Sequence, residues 1–163
     1  MSKRLLLITA AATWLTAVLP VEAVEPTKPS ATVDIQASSD VGTPCFGFGF
    51  VFDREVVKSG GTVVPFSIPD GKVLVVTGLD WGVQGNVTNK ARTASLLRFN
   101  GGVNGPSAQS TALADAFGTA GASVTFPTGI VLNRPGVFCI QLTDSNNFDH
   151  LTAVVHGFLA NDK

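Results

Sequence analysis

The chain has 163 residues, a formal net charge of −1 and only 14% charged side chains, so it carries no basic stripe of the kind that nucleic acid requires. A hydrophobic content of 45% without low-complexity runs excludes a disordered polymer and points to a packed core. The length suits one domain.

Lys3 and Arg4 form a short positive region, followed by an uncharged, mostly apolar run over 5–19, Pro20 and the small-residue segment Val21-Glu22-Ala23. This is the layout of a secretory signal peptide spanning 1–23, and the run is shorter than the ~20 apolar residues of a spanning helix. Residues 24–30, rich in Pro, Glu and Lys, read as a flexible lead-in. Residues 31–163 are then a single secreted or periplasmic domain, with no transmembrane segment after signal cleavage. In such a compartment the isolated pair Cys45 and Cys139 is expected to form a disulfide. Neither cysteine has the basic or CxxC surroundings of a reactive thiol.

In chain order the apolar pattern is chiefly period two, the period of strands. Residues 31–37 alternate, with Val33 and Ile35 on one face. Residues 45–52 read as one strand with Phe46, Phe48, Phe50 and Phe52 on a common face. Residues 62–68 form a third run, and Pro69-Asp70-Gly71-Lys72 is a tight turn. Residues 73–83 follow, buried on both faces near 73–76. Further strands are expected over 93–99, 122–126, 129–132, 136–143 and 151–159. Residues 101–121 interrupt the pattern with small side chains, and Ser110 is placed to cap one short helix running to Phe117. Eight or nine short strands without alternating helices indicate an all-β antiparallel sandwich or barrel.

The stretch 64–77 (VPFSIPDGKVLVVT), with Val155-His156-Gly157-Phe158-Leu159 near the end, resembles small exported bacterial proteins of unassigned function, in which such a hairpin and such a terminal strand recur. Residues 127–136 also resemble a turn of jelly-roll sandwiches. The resemblance covers about a third of the chain. It implies a jelly-roll-like fold and carries over no catalytic residue.

Two polar clusters are candidate sites. Asp80, Trp81, Gln84 and Asn86, with Asn89 nearby, combine an aromatic ring with amides and a carboxylate, the chemistry of a sugar site. The competing reading has Trp81 plugging the sandwich. Asn86-Val87-Thr88 also matches a glycosylation sequon. Asp144, Asn146 and Asp149 offer oxygens suited to calcium, although the glycine and closing glutamate of an EF-hand loop are missing, and the competing reading is a polar turn. His150 and His156 fall on one strand face, about 20 Å apart at the usual rise, too far to share a metal. No HExxH, G-x-S-x-G or P-loop pattern is present.

The ranking that follows puts first a non-catalytic exported module that binds a glycan or a cell-envelope component. Second is a self-assembling homo-oligomeric subunit using the Phe-rich strand. Third is a small hydrolase or lyase drawing on Asp80, Asp144, Asp149 and His150. No cofactor is expected, calcium apart.

Overall fold

The computed structural model describes residues 32–40, 42, 44–45, 49–57, 60–86, 88–100, 103–142 and 148–162. The expected signal peptide and lead-in lie outside them. The described residues contain eleven strands and no helix. They are β1 (Thr32–Ser38), β2 (Pro44–Cys45), β3 (Gly49–Val51), β4 (Arg54–Val57), β5 (Thr62–Pro65), β6 (Lys72–Gly85), β7 (Ala91–Asn100), β8 (Val103–Leu113), β9 (Thr119–Asn133), β10 (Val137–Leu142) and β11 (Phe148–Asn161).

They form two antiparallel sheets, ordered β5-β4-β1-β11-β6-β9 and β2-β3-β10-β7-β8. Apart from the β7–β8 hairpin, the eight principal strands β1, β3, β6, β7, β8, β9, β10 and β11 alternate between the sheets as the chain advances. Interleaving of this kind is the double Greek key of a jelly roll. The first and last of the principal strands, β1 and β11, are neighbours.

Period-two patterning explains the core. From β6, Leu74, Val76, Leu79, Trp81 and Val83 point between the sheets; Ile35, Leu96, Phe138, Ile140, Leu151 and Val155 meet them. Residues 73–76 are buried on both faces as expected, because Val73 and Val75 join Phe158 in a second, outer cluster. The step from 76 to 79 is not a period-two step. Thr77 is an extra residue opposite β11, a bulge that resets the alternation so that Gly78, Asp80, Gly82 and Gln84 face outward. The 69–72 turn forms as read, with Gly71 at φ 68° and the Lys72 N–H donating to the Pro69 carbonyl at 3.2 Å.

Three expectations are corrected. The helix from Ser110 to Phe117 is absent: Ser110 lies in β8, paired with Ala94, and its hydroxyl accepts the Trp81 indole N–H at 3.1 Å instead of capping a helix. Residues 114–118 are a turn, closed by the Asp115 carboxylate, which accepts the N–H groups of Phe117 (2.8 Å) and Thr119 (2.9 Å). The single strand over 45–52 is instead two: Cys45 pairs antiparallel with Gly49, so the chain reverses between them. Phe50 and Phe52 pack on the core; Phe46 and Phe48 lie outside the described residues. Finally, 122–126 and 129–132 belong to one strand, β9, which continues across an irregularity between its pairings with Gly78 and Val76.

Cys45 and Cys139 are joined, with Cα atoms 6.2 Å apart. The bridge joins two strands of the five-stranded sheet, β2 and β10.

Candidate functional site

The outer face of the six-stranded sheet carries a groove whose origin can be read from register. Three adjacent strands contribute three outward positions each. The rows are Val154–Asp80–Ser123, Thr152–Gly82–Gly121 and His150–Gln84–Thr119, in the order β11, β6, β9. The middle row has glycines directly opposite one another, so nothing fills the space between polar rims. The result is an open groove of ≈ 750 Å³. No lysine or arginine among the described residues lines it.

The two glycines differ in kind. A Cβ on Gly82 would meet only the Ala120 carbonyl oxygen, at 4.0 Å, whereas a Cβ on Gly121 would lie 2.6 Å from the Trp81 carbonyl oxygen. Gly121 is therefore required by close backbone approach. Gly82 is simply empty space above the sheet.

At the upper rim the sheet carries a chain of side-chain hydrogen bonds across three strands, β1, β11 and β6. His156 in β11 lies with Nδ1 2.9 Å from Asp34 Oδ1 in β1 and Nε2 2.8 Å from Asp80 Oδ2 in β6. Ser123 of β9 stands directly opposite Asp80. The partner of His156 across β6 is Gly78, where an added Cβ would stand in ordinary contact with the ring, 3.5 Å from His156 Cδ2. Partial burial pulls the His156 pKa down, but hydrogen bonds to Asp34 and Asp80, together with their charge, prevail and hold it above the ordinary value of 6.5. The Ser123 hydroxyl, followed by the His156 ring, holds the Asp80 carboxyl below its usual 3.8 against a smaller desolvation effect. At the opposite corner His150 Nδ1 lies 2.9 Å from Asp40 Oδ1. The Leu151 N–H donates to Ser39 Oγ at 2.9 Å, fastening the end of β1 to β11.

Of the residues singled out in sequence, Asp80, Gln84 and His150 share this groove. The Trp81 side chain is on the other side of the strand, 4% exposed and hydrogen-bonded to Ser110, so its ring faces the core. Asn86 is exposed at the bend after β6, and Asn89 takes a left-handed φ of 54° in the same connection, its N–H donating to the Asp115 carbonyl at 3.2 Å. Asp144 and Asn146 lie outside the described residues, as does the side chain of Asp149. Among the described residues no group of three or more His, Cys, Asp or Glu is placed to hold a metal ion.

Sequence reasoning missed Asp34, Ser123 and the glycine pair. Asp34 is 122 positions from His156, and Asp80 is 76. The one available signal was the alternation of 80, 82 and 84, which already sets Asp80 and Gln84 on the face opposite Trp81.

The geometry offers little to acid–base or nucleophilic chemistry. Ser123 stands opposite the Asp80 carboxylate, and both ring nitrogens of His156 are turned to Asp34 and Asp80 instead of to the serine, so it lacks the adjacent base that activates a serine. The imidazole fills the gap between Asp34 and Asp80, where a glycosidase would place substrate or water.

A second cavity, ≈ 210 Å³, opens at one end between the sheets and is lined chiefly by Phe52, Phe66, Ile68, Leu132 and Phe138. The Arg134–Asp70 ion pair stands beside it.

No family model and no curated protein matches the chain. Among solved structures it is similar to the Eiger TNF from S. frugiperda, at 10% identity and a TM-score of 0.39, over 80% of this chain and 96% of that one. The assignment of a jelly-roll sandwich rests on the strand order given above.

Proposed function

We propose that the chain is an exported, non-catalytic binding module whose contact surface is the glycine-floored groove, and that its ligand is rich in hydroxyl groups, as a glycan or another cell-envelope component is. The observation that carries this reading is the pairing of Gly82 with Gly121 inside a ring of Asp80, Gln84, Thr119, Ser123, His150 and Thr152. A concave surface with a few convergent donors and acceptors suits hydroxyl recognition. Export is supported by the leader-like first 23 residues and by the Cys45–Cys139 disulfide, which suits an oxidising compartment.

The test is a glycan array followed by calorimetry on the processed chain and on Gly82→Leu, which fills the groove without meeting backbone. Binding by the former and not by the latter, at matching melting temperatures, is expected. Equal binding by both removes the groove from consideration.

Self-association is the second reading, favoured by two apolar side chains flanking the β8–β9 turn: Leu113 is 72% exposed and Phe117 82%. Light scattering at high concentration should then show a species larger than the monomer, reduced to monomer in Phe117→Ser. The Phe-rich segment is a poorer candidate, because Phe50 and Phe52 are engaged by the core.

A further inference from the structure

Resting on that reading of the groove, we infer that His156 gates it by charge: with the ring protonated, Asp80 is neutralised and held back, and with the ring neutral, Asp80 is released to a cationic group on the ligand.

The argument is a count of hydrogen bonds. Neutral imidazole has one N–H and one lone pair, whereas ionised carboxylates only accept. Both ring nitrogens face carboxylate oxygens, at 2.9 and 2.8 Å. Only the imidazolium donates to both. When the proton leaves, one nitrogen turns a lone pair toward a carboxylate, and one of the two contacts must open. Asp80 is the looser partner: its side chain is 52% exposed against 25% for Asp34. Asp80 is also the member that lines the groove. Deprotonation therefore frees the rim carboxylate and takes the cluster, two carboxylates and one ring, from one net negative charge to two.

The groups around the ring are these. On β11 the outward neighbours of His156 are Val154 and Phe158. β9 supplies the neutral Ser123 and Thr125, opposite Asp80 and Gly78. On β4, one strand beyond β1, Arg54 lies opposite Gln36, a diagonal neighbour of Asp34 on the side of Asp34 away from the groove, and Glu55 lies opposite Ile35. His150, farther along β11, has Asp40 as its own partner. With no lysine or arginine among the described lining residues, a ligand cation is the natural complement to the released Asp80.

The experiment uses probes of permanent charge and a His150→Gln background, called wild type below for its intact His156, so that His156 is the one imidazole left at the groove. Calorimetry at pH 5.5 and 8.5 compares an N,N,N-trimethylated chito-oligosaccharide, the neutral N-acetylated oligomer and the bis-quaternary amine hexamethonium. The cationic oligomer should bind the wild-type chain roughly fourfold more tightly at pH 8.5, the worth of one unit charge at about 5 Å in a water-like dielectric. The neutral oligomer should bind equally at both pH values, and His156→Gln should hold the cationic oligomer at the high-pH affinity throughout. Hexamethonium following the cationic oligomer would support the gate with a small organic cation, not a glycan, as the source of the charge. A wild-type affinity indifferent to pH, or a pH dependence kept by His156→Gln, overturns the gate while leaving the groove intact. Binding of both oligomers unaltered by Gly82→Leu, or no binding at all, overturns the groove and the gate with it. Nitrogen-15 shifts of the ligand-free protein supply a separate check: both ring nitrogens of His156 must carry protons at pH 5.5, and a bare nitrogen there contradicts the inference.

Discussion

The two faces of the six-stranded sheet obey opposite rules. On the inner face β6 presents Leu79, Trp81 and Val83, each at most 4% exposed, packed on β11 and on the facing sheet. On the outer face the same strand presents Asp80, Gly82 and Gln84. Adjacent residues thus carry unrelated duties, separated by one step of the pleat. The inner face determines whether the chain folds, and the outer face what it can touch. Trp81 shows why the distinction matters: beside Asp80 in sequence it resembles a ligand platform, but the pleat turns it into the core.

The largest effect that sharpens this contrast should come from Trp81→Ala. Deleting the buried ring costs about 3–5 kcal/mol, and it leaves Ser110 without its indole donor. Thermal or denaturant unfolding should record a large loss of stability. Retained stability with lost binding would break the comparison, since Trp81 would then serve the outer face. Next is the disulfide. Cys45 and Cys139 are 94 positions apart, and removing such a bridge typically costs about 2–5 kcal/mol. Reduction should lower the denaturation midpoint without altering the far-ultraviolet signature of strands.

A finer contrast lies within the groove floor. Gly121→Ala should lose about 1–3 kcal/mol through overpacking against the Trp81 carbonyl. Gly82→Ala should change stability by about 0.5 kcal/mol or less, toward stabilisation where reduced chain entropy dominates. Unfolding curves on the pair check this directly, and equal losses would show that the two glycines do not differ as described.

The smallest effect is electrostatic. The folded pKa of His156 lies above 6.5, so its contribution to stability is complete below pH 6.5 and is lost as pH rises through the folded value. The folded pKa of Asp80 lies below 3.8, so its contribution is present above pH 3.8 and is lost as pH falls through the folded value. The clasp from Asp34 through His156 to Asp80 is therefore tightest between pH 3.8 and 6.5. Melting temperatures of His156→Gln measured against pH should lack the decline that wild type shows above that window. Both side chains are about half exposed, so solvent screening keeps the effect modest.

Much of the inner face was legible in the sequence. Alternation marked β1, β6 and β11, the 69–72 turn had explicit chemistry, and the cysteine pair joined as expected of an isolated pair in an oxidising compartment. Failures came where one local pattern served two structures. Small residues around Ser110 satisfied a weak helical period, yet the indole of Trp81, 29 positions away, fixes that hydroxyl within a strand. The alternating phenylalanines of 45–52 concealed a reversal, because period two does not reveal where a strand turns back. The outer face was scarcely legible. Its rows exist only through register among β1, β11, β6 and β9, and register is set by long-range pairing. Even the phase of β6 depends on the Thr77 bulge. Arg92 carries the same lesson: it shares an inward face with Ala94 and Leu96 and is fully buried, although its residue type alone suggests solvent.

The most direct test of the division between faces is chemical-shift mapping of the processed chain titrated with the trimethylated chito-oligosaccharide at pH 8.5. The account predicts perturbations centred on the backbone amides of Asp80, Gly82, Gln84, Gly121 and Ser123, with the amides of Leu96 and Ile140 unmoved. Perturbations centred on Leu113 and Phe117, or on the cavity beside Arg134, would contradict it.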